Sequence, residues 1–379
     1  MKIKIEDKKW ANEIWAKVEE KLLRTAVSSR EKLPYTTIKG IHNDCLSEKD
    51  IHKWTNGFWP GLMWLMYADT KNAEYRKTAE RAEELLDGAL INFEALDHDV
   101  GFIWHISSGV NYRLAGNEQS KNRALFAAAS LASRFNLKGN YIRAWPNRPE
   151  ADTTGWTIID SMMNLPLLYW ASKHLKDNRF RWIAEAHANK TITSHIRPDG
   201  SVNHIVSHDP LTGEIIETLG GQGYGVGSCW SRGQAWAVYG FILSYIHTGN
   251  IEYLNAAKST AHYFISNLKG DYLTLCDFRS PAEPAVYDST AGAIAACGLI
   301  ELANNVPELE RGGYIDAAIK ILKALESKRC NWDDNEDSIL QMGTEAYHKK
   351  TGRHIPIIYG DYFFVEALYK LRENEFLFW

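Results

Sequence analysis

Two kinds of helix alternate along this chain, and the alternation restricts the folds open to it more than any other feature. One kind is amphipathic. Leu254, Ala257, Ala261 and Phe264 recur at steps of three and four residues, with Asn255, Lys258 and Ser259 between them. Ala79, Ala82, Leu85 and Leu86 repeat the pattern among Arg81, Glu83 and Glu84. The other kind is apolar nearly all round, as in residues 158–168 and in the small-residue run 290–299. A helix apolar on every side is buried on every side. A start signal also recurs: a turn asparagine, an aromatic, then an alanine four residues on. Asn72 and Tyr75 lead to Ala79, Asn178 and Phe180 to Ala184, and Asn250 and Tyr253 to Ala257. Gly116-Asn117 and Gly312-Gly313-Tyr314 are weaker copies. A repeat at roughly 45–70 residues means stacked helix hairpins. About twelve helices are expected, beginning near residues 8, 56, 73, 103, 118, 154, 177, 230, 251, 288, 311 and 360. Buried helices form an inner ring and amphipathic ones an outer ring. The expected fold is an all-α (α/α)6 barrel of six helix hairpins.

At 379 residues the chain is long for one domain, yet no linker, charge block or low-complexity run divides it, so a single catalytic domain over residues 1–379 is expected. A net charge of −4 argues against nucleic acid as a partner. The start, Met1 to Trp10, is charged and lacks an apolar core of the signal-peptide kind. No stretch approaches the roughly 20 apolar residues of a membrane span. The five cysteines are scattered and form no CxxC pair. A cytoplasmic protein with free thiols and no membrane partner is expected.

The longest non-helical stretch runs from Asp199 to Gly227, with Ser201-Val202-Asn203-His204-Ile205-Val206 reading as a short strand. Such a connection in a closed domain is usually functional. It leads into Trp230-Ser231-Arg232-Gly233-Gln234-Ala235-Trp236. Two indoles suit the C–H faces of a sugar ring, and an arginine fork suits a carboxylate. The glycines at 223, 225 and 227 let backbone approach a ligand. Trp54-Thr55-Asn56-Gly57-Phe58-Trp59 repeats the signature, with Thr55 or Asn56 as candidate cap of the next helix. Together they point to a small acidic carbohydrate.

Asp160 lies in the most apolar predicted helix, where a carboxyl must be paired, hydrogen-bonded or protonated. Asp97-His98-Asp99 precedes another helix, and an N-cap needs only one of the three. If Asp99 faces Asp160, one carboxyl of the pair stays protonated near neutrality and is available as an acid. Asp288-Ser289-Thr290 reads as a helix N-cap, and Tyr359 and Tyr362 as cleft-lining rings. His204 and His208 share a face of the predicted strand, but no third ligand stands at metal spacing. The glycines at 220–227 do not satisfy GxGxxG, so neither metal nor nucleotide cofactor is expected.

At these motifs, together with Arg143-Ala144-Trp145, Ile158-Ile159-Asp160 and Gly360-Asp361-Tyr362, the chain resembles the unsaturated glucuronyl hydrolases, glycoside hydrolase family 88, along most of its length. The resemblance implies an (α/α)6 barrel that needs no metal or cofactor. It also implies hydration of the 4,5-double bond that a polysaccharide lyase leaves on a non-reducing uronate. The implied proton donor is Asp160, with Asp99 as second essential carboxylate. The implied sugar contacts are Trp54, His98, Trp145, His204, Gln222, Arg232, Trp236 and Tyr347, and Thr218, Gly220, Ser228 and Trp230 are further candidates. The family often carries a second histidine before Asp99, a tryptophan at Tyr359, and a hydroxyl and a histidine at Gly220-Gly221. The implied partner is a small unsaturated di- or oligosaccharide, acted on by a monomer or weak homo-oligomer. Rival readings are an unsaturated rhamnogalacturonyl hydrolase, a sugar epimerase using His98 and His204, and a non-catalytic carbohydrate-binding protein.

Overall fold

Capping residues set the helix boundaries much as the start signal predicts. In the computed structural model, which describes residues 3–147 and 151–379, Asn72 and Asn250 accept the N–H groups of Glu74 and Glu252, and Asn117 accepts that of Ser120. Asp177, rather than Asn178, caps its helix by accepting from Arg179.

Six helices that are buried almost all round form the inner ring: Phe58–Thr70, residues 100–115, Leu165–Leu175, Ser231–Thr248, Ser289–Asn305 and Ile358–Leu371. Six flank them outside: Ile5–Ser28, Ala73–Leu85, Glu118–Ser133, Asn178–His195, Ile251–Ser266 and Glu308–Arg329. Each inner helix touches the next, and Ile358–Leu371 closes the ring against Phe58–Thr70. The fold is the expected helical barrel. Its sixth pair, however, is not a hairpin: the first helix, Ile5–Ser28, packs on the last, Ile358–Leu371. Among the described residues no helix is long and apolar enough to cross a membrane.

Three local expectations are corrected. No α-helix starts near residue 154. Trp156–Ile158 is a strand, Ile159–Met163 a 3-10 turn, and the α-helix begins at Leu165. Pro166 gives the reason: it lacks an N–H and fits the first turn of a helix, not its interior. Asp160 therefore sits on a tight turn at the mouth of an inner helix. Thr55 and Asn56 cap nothing: the helix from Phe58 has no side-chain cap, and Asn56 donates to the main-chain oxygens of Asp50 and Ile51. The strand expected at 201–206 is Ile205–His208. It lies between Trp156–Ile158 and Ile215–Leu219 in an antiparallel sheet, with Val206 opposite both Thr157 and Thr218.

Candidate active site

The turn Ile159–Met163 carries Asp160 and holds the Asp97–Asp99 loop against it. Ser161 Oγ lies 2.6 Å from His98 Nδ1, and Asn164 Nδ2 donates to Asp99 Oδ1 at 3.0 Å. The Asp97 carboxylate accepts the Asp99 N–H, and the His98 N–H donates to Ala144 O, which brings Trp145 alongside. The rings of His98 and Trp145 meet edge to face at 6.5 Å. Asp99 and Asp160 are both buried, and Asp160 Oδ1 has no hydrogen-bond partner among the described residues. Burial pushes the Asp160 carboxyl up to about 7, against the nearby Arg232 guanidinium, which lowers it. Burial also raises Asp99 well above the usual carboxylate range, helped by the charges of Asp97 and Asp160. A pair so placed keeps a proton near neutrality.

The glycine loop fixes the other wall. The Gln222 N–H donates to His204 Nδ1 at 3.0 Å. Burial holds that ring neutral by pushing it down to about 3, so its proton resides on Nε2. Nε2 faces Asp160 Oδ1 at 3.8 Å, too long for a direct bond. Gly221 makes this approach possible: its φ is +54°, and a Cβ there would lie 2.0 Å from His204 Nδ1. Gln222 Nε2 donates to Glu345 O, and Gln222 O accepts the Tyr347 N–H, which ties the loop at 344–349 to the same wall.

The expected sugar contacts separate into two groups. Trp54, Trp145 and Gln222 are half-buried and keep open surface. Trp54 stacks on Tyr359 at 5.0 Å and meets Phe102 at 5.2 Å. Arg232, Trp230 and Trp236 are buried behind them. Trp236 is 0% exposed and packs against Phe102 and Phe363, so neither face is open as a stacking platform. Arg232 turns its fork inward: Nη1 pairs with Asp288 and donates to Thr344 O, and Nη2 donates to Glu345 O. Its guanidinium lies 4.4 Å from the Trp230 ring, which in turn meets His204 at 4.2 Å. Ser228 spends its hydroxyl on Asp277, Thr218 sits half-buried on the sheet, and Gly220 is pressed against Gly225. His208 is engaged apart from His204, with Thr157 Oγ1 at 3.1 Å and Tyr141 stacked at 5.1 Å. Among the described residues no group of three or more His, Cys, Asp or Glu side chains is placed to hold a metal ion.

Four residues of the site have roles that the sequence shows only in part or not at all. Asn164 breaks an apolar run just as Asp160 does, and that was its only mark. Asp288 caps Ser289–Asn305, as expected, but its Arg232 partner is distant in sequence. Glu345 has no sequence signal, and Tyr359 is expected only as a cleft-lining ring: Tyr35 Oη donates to the Glu345 carboxylate, and Tyr359 lies 5.4 Å from the Arg232 guanidinium.

No family model matches the chain. Over 337 residues it is 38% identical to the unsaturated glucuronyl hydrolase of Bacillus sp. (strain GL1), an alignment spanning 87% of this chain and 89% of that protein. The chain belongs to the unsaturated glucuronyl hydrolase family. It is therefore a glycoside hydrolase. The unsaturated chondroitin disaccharide hydrolase of Streptococcus pneumoniae (strain ATCC BAA-255 / R6) is 32% identical over 87% of this chain and 84% of its own. Among solved structures, an Asp-to-Asn unsaturated glucuronyl hydrolase with dGlcA-Glc-Rha-Glc superposes with a TM-score of 0.88, at 33% identity over 94% of this chain and 95% of that one. An Asp-to-Asn Streptococcus agalactiae unsaturated glucuronyl hydrolase complexed with dGlcA-GalNAc6S gives a TM-score of 0.83, at 27% identity over 98% and 94%.

The Gly221 contact yields a direct test within this hydrolase. Gly221→Ala is expected to lower kcat/KM at least ~10-fold by displacing His204. Gly225→Ala, where an added Cβ meets nothing within 4 Å, is expected to leave kcat/KM unchanged. Equal kcat/KM for the two variants would dismiss the role given to the loop.

Proposed function

We propose that this enzyme removes the 4,5-unsaturated uronate from the non-reducing end of lyase-generated oligosaccharides by hydrating its C4=C5 bond, with Asp160 as acid and then base. The observation that carries this is the pair of buried carboxyls on facing segments, both raised, with Asp160 Oδ1 unpartnered among the described residues. The substrate is an enol ether conjugated to a carboxylate. Asp160 gives its proton to C4, and the positive charge is shared by C5 and the ring oxygen. A water then adds to C5 and returns a proton to Asp160. The resulting hemiketal opens by breaking C5–O5 to leave a C5 ketone. C1 keeps that oxygen as a hydroxyl and, now a hemiacetal, collapses to an aldehyde as the glycosidic bond breaks and the remaining sugar leaves. Asp99 shares the proton of the pair, holds the sugar and, in its ionised form, favours the proton on Asp160. Because the acid protonates carbon, the carboxylate-separation rule for ordinary glycosidases does not govern this site.

Trp54, Trp145 and Gln222, with the edges of His98, His204 and Tyr347, make the contact surface in this reading. Arg232, Trp230 and Trp236 form the wall behind it. The closed inner ring supports one catalytic unit over residues 1–379, working without metal or cofactor as a monomer or weak homo-oligomer.

The test is loss of the near-ultraviolet absorbance of the conjugated double bond, read with unsaturated disaccharides from hyaluronan, chondroitin, heparin and ulvan. At least one is expected to be consumed. Since Asp160 must carry a proton and loses it near pH 7, kcat is expected to fall as pH rises above about 7. No decay with any of the four, or a kcat that climbs steadily from pH 6 to 9, would sink the proposal.

A further inference from the structure

The turn that carries Asp160 runs into Asn164, whose side chain is completely buried. Its Oδ1 accepts the Phe102 N–H at 2.8 Å, which fixes the orientation of the amide, since only oxygen can accept. Nδ2 must then point the other way. It donates to Asp99 Oδ1 at 3.0 Å and lies 3.4 Å from the main-chain oxygen of Asp160. Gly101 makes room for this approach: a Cβ there would come within 2.6 Å of Asn164 Oδ1. One amide thus spans the two segments that carry the carboxyls, and its two ends do separable work. The acceptor end secures the start of the inner helix 100–115, and the donor end serves Asp99 alone among side chains.

We propose that Asn164 is a positioning residue for the hydration: its N–H holds Asp99 in place beside Asp160 and favours its ionised form against burial, which draws the proton of the pair towards Asp160. The inference rests on the roles given above to Asp160 and Asp99. A hydrogen bond to the charged form of an acid favours that form. Asp99 is otherwise faced by Asp97 and Asp160, which oppose its ionisation, by Arg134, which favours it, and by the neutral His98, whose Nε2 lies 3.6 Å away. The Arg134 guanidinium is spent on the main-chain oxygens of Leu96, Arg143 and Ala144. Asn164 is thus the only side chain with a hydrogen bond recorded to the Asp99 carboxylate among the described residues.

Asn164→Asp separates the two ends. It keeps an oxygen for the Phe102 N–H and puts an acceptor where Asp99 needs a donor. The expected result is a kcat at least ~10-fold lower with a smaller change in KM, and an acidic limb of the pH–kcat profile moved up by about one pH unit. Asn164→Ala removes both bonds without adding a charge, and should show the same shift at lower stability. A profile that overlays the wild type, in whichever variant folds, overturns the inference, as does a fall in kcat with the limb unmoved. Failure of the underlying reading looks different: wild-type enzyme that consumes no unsaturated disaccharide, or an Asp160→Asn variant with full turnover, removes both together.

Discussion

Asp160→Asn is expected to lower kcat at least ~100-fold while leaving the fold intact. The substitution is isosteric, and the bond from Asn164 goes to the main-chain oxygen of residue 160, which is retained. What is lost is a transferable proton. Stability should not suffer, and the sign can be worked out. The Asp160 carboxyl is raised from 3.8 to about 7 in the folded protein. A group raised in this way favours the folded state at low pH, and that advantage fades as pH climbs from about 4 to about 7. Asparagine has no charge to bury, so the variant should be at least as stable as wild type at pH 8. Denaturant unfolding at that pH and initial-rate assays below pH 7, where Asp160 keeps its proton, check the two halves. A folded variant within ~10-fold of wild-type kcat would mean that another group protonates C4.

Asp160 also shows how far the sequence could be read. That a carboxyl in an apolar run needs a reason was visible from residue types alone. The helix assigned to it was not there, because Trp156-Thr157-Ile158 pairs with Ile205-Val206-Ser207 as a sheet strand and Pro166 delays the helix. Periodicity reports what is buried, not which backbone buries it, and a short apolar run fits either form. The ring of helices was legible because inner and outer helices differ in pattern along their whole length. The closure of the ring by its first and last helices was not, since no local pattern links Ile5–Ser28 to Ile358–Leu371. The motif Trp230 to Trp236 stands out in the sequence, but the sequence does not say which way its side chains face. Arg232 points at Asp288, 56 positions on, and Trp236 into the rings of Phe102 and Phe363. Burial of this kind is a tertiary property, and an indole that supports a site has the same sequence signal as one that touches a sugar.

Arg232 therefore carries the second large effect. Its pair with Asp288 is almost fully buried, with side-chain exposures of 1% and 0%. Breaking such a pair by removing one partner costs about 3–5 kcal/mol, because the charge left behind stays buried. Arg232→Met is expected to destabilise by that order. Arg232→Lys should recover only part of it: an ammonium can face Asp288 but cannot also supply the separate donors that Thr344 O and Glu345 O receive. Asp288 accepts the N–H groups of Thr290 and Thr344 as well, so Asp288→Asn alone should be costly too. The double variant Arg232→Met with Asp288→Asn leaves no unpaired charge, and should lose at least about 1 kcal/mol less than the sum of the two single variants. The pair also touches the chemistry. Arg232 pulls the Asp160 carboxyl down against its burial, so Arg232→Met should move the alkaline limb of the kcat profile to higher pH. Strictly additive losses by denaturant unfolding, together with an unmoved limb, would leave Arg232 as packing with no hold on Asp160. Coupled losses with a shifted limb would make the same buried fork both the tie between the helix Ser231–Thr248 and the loop at 344–345 and a setting for the acid.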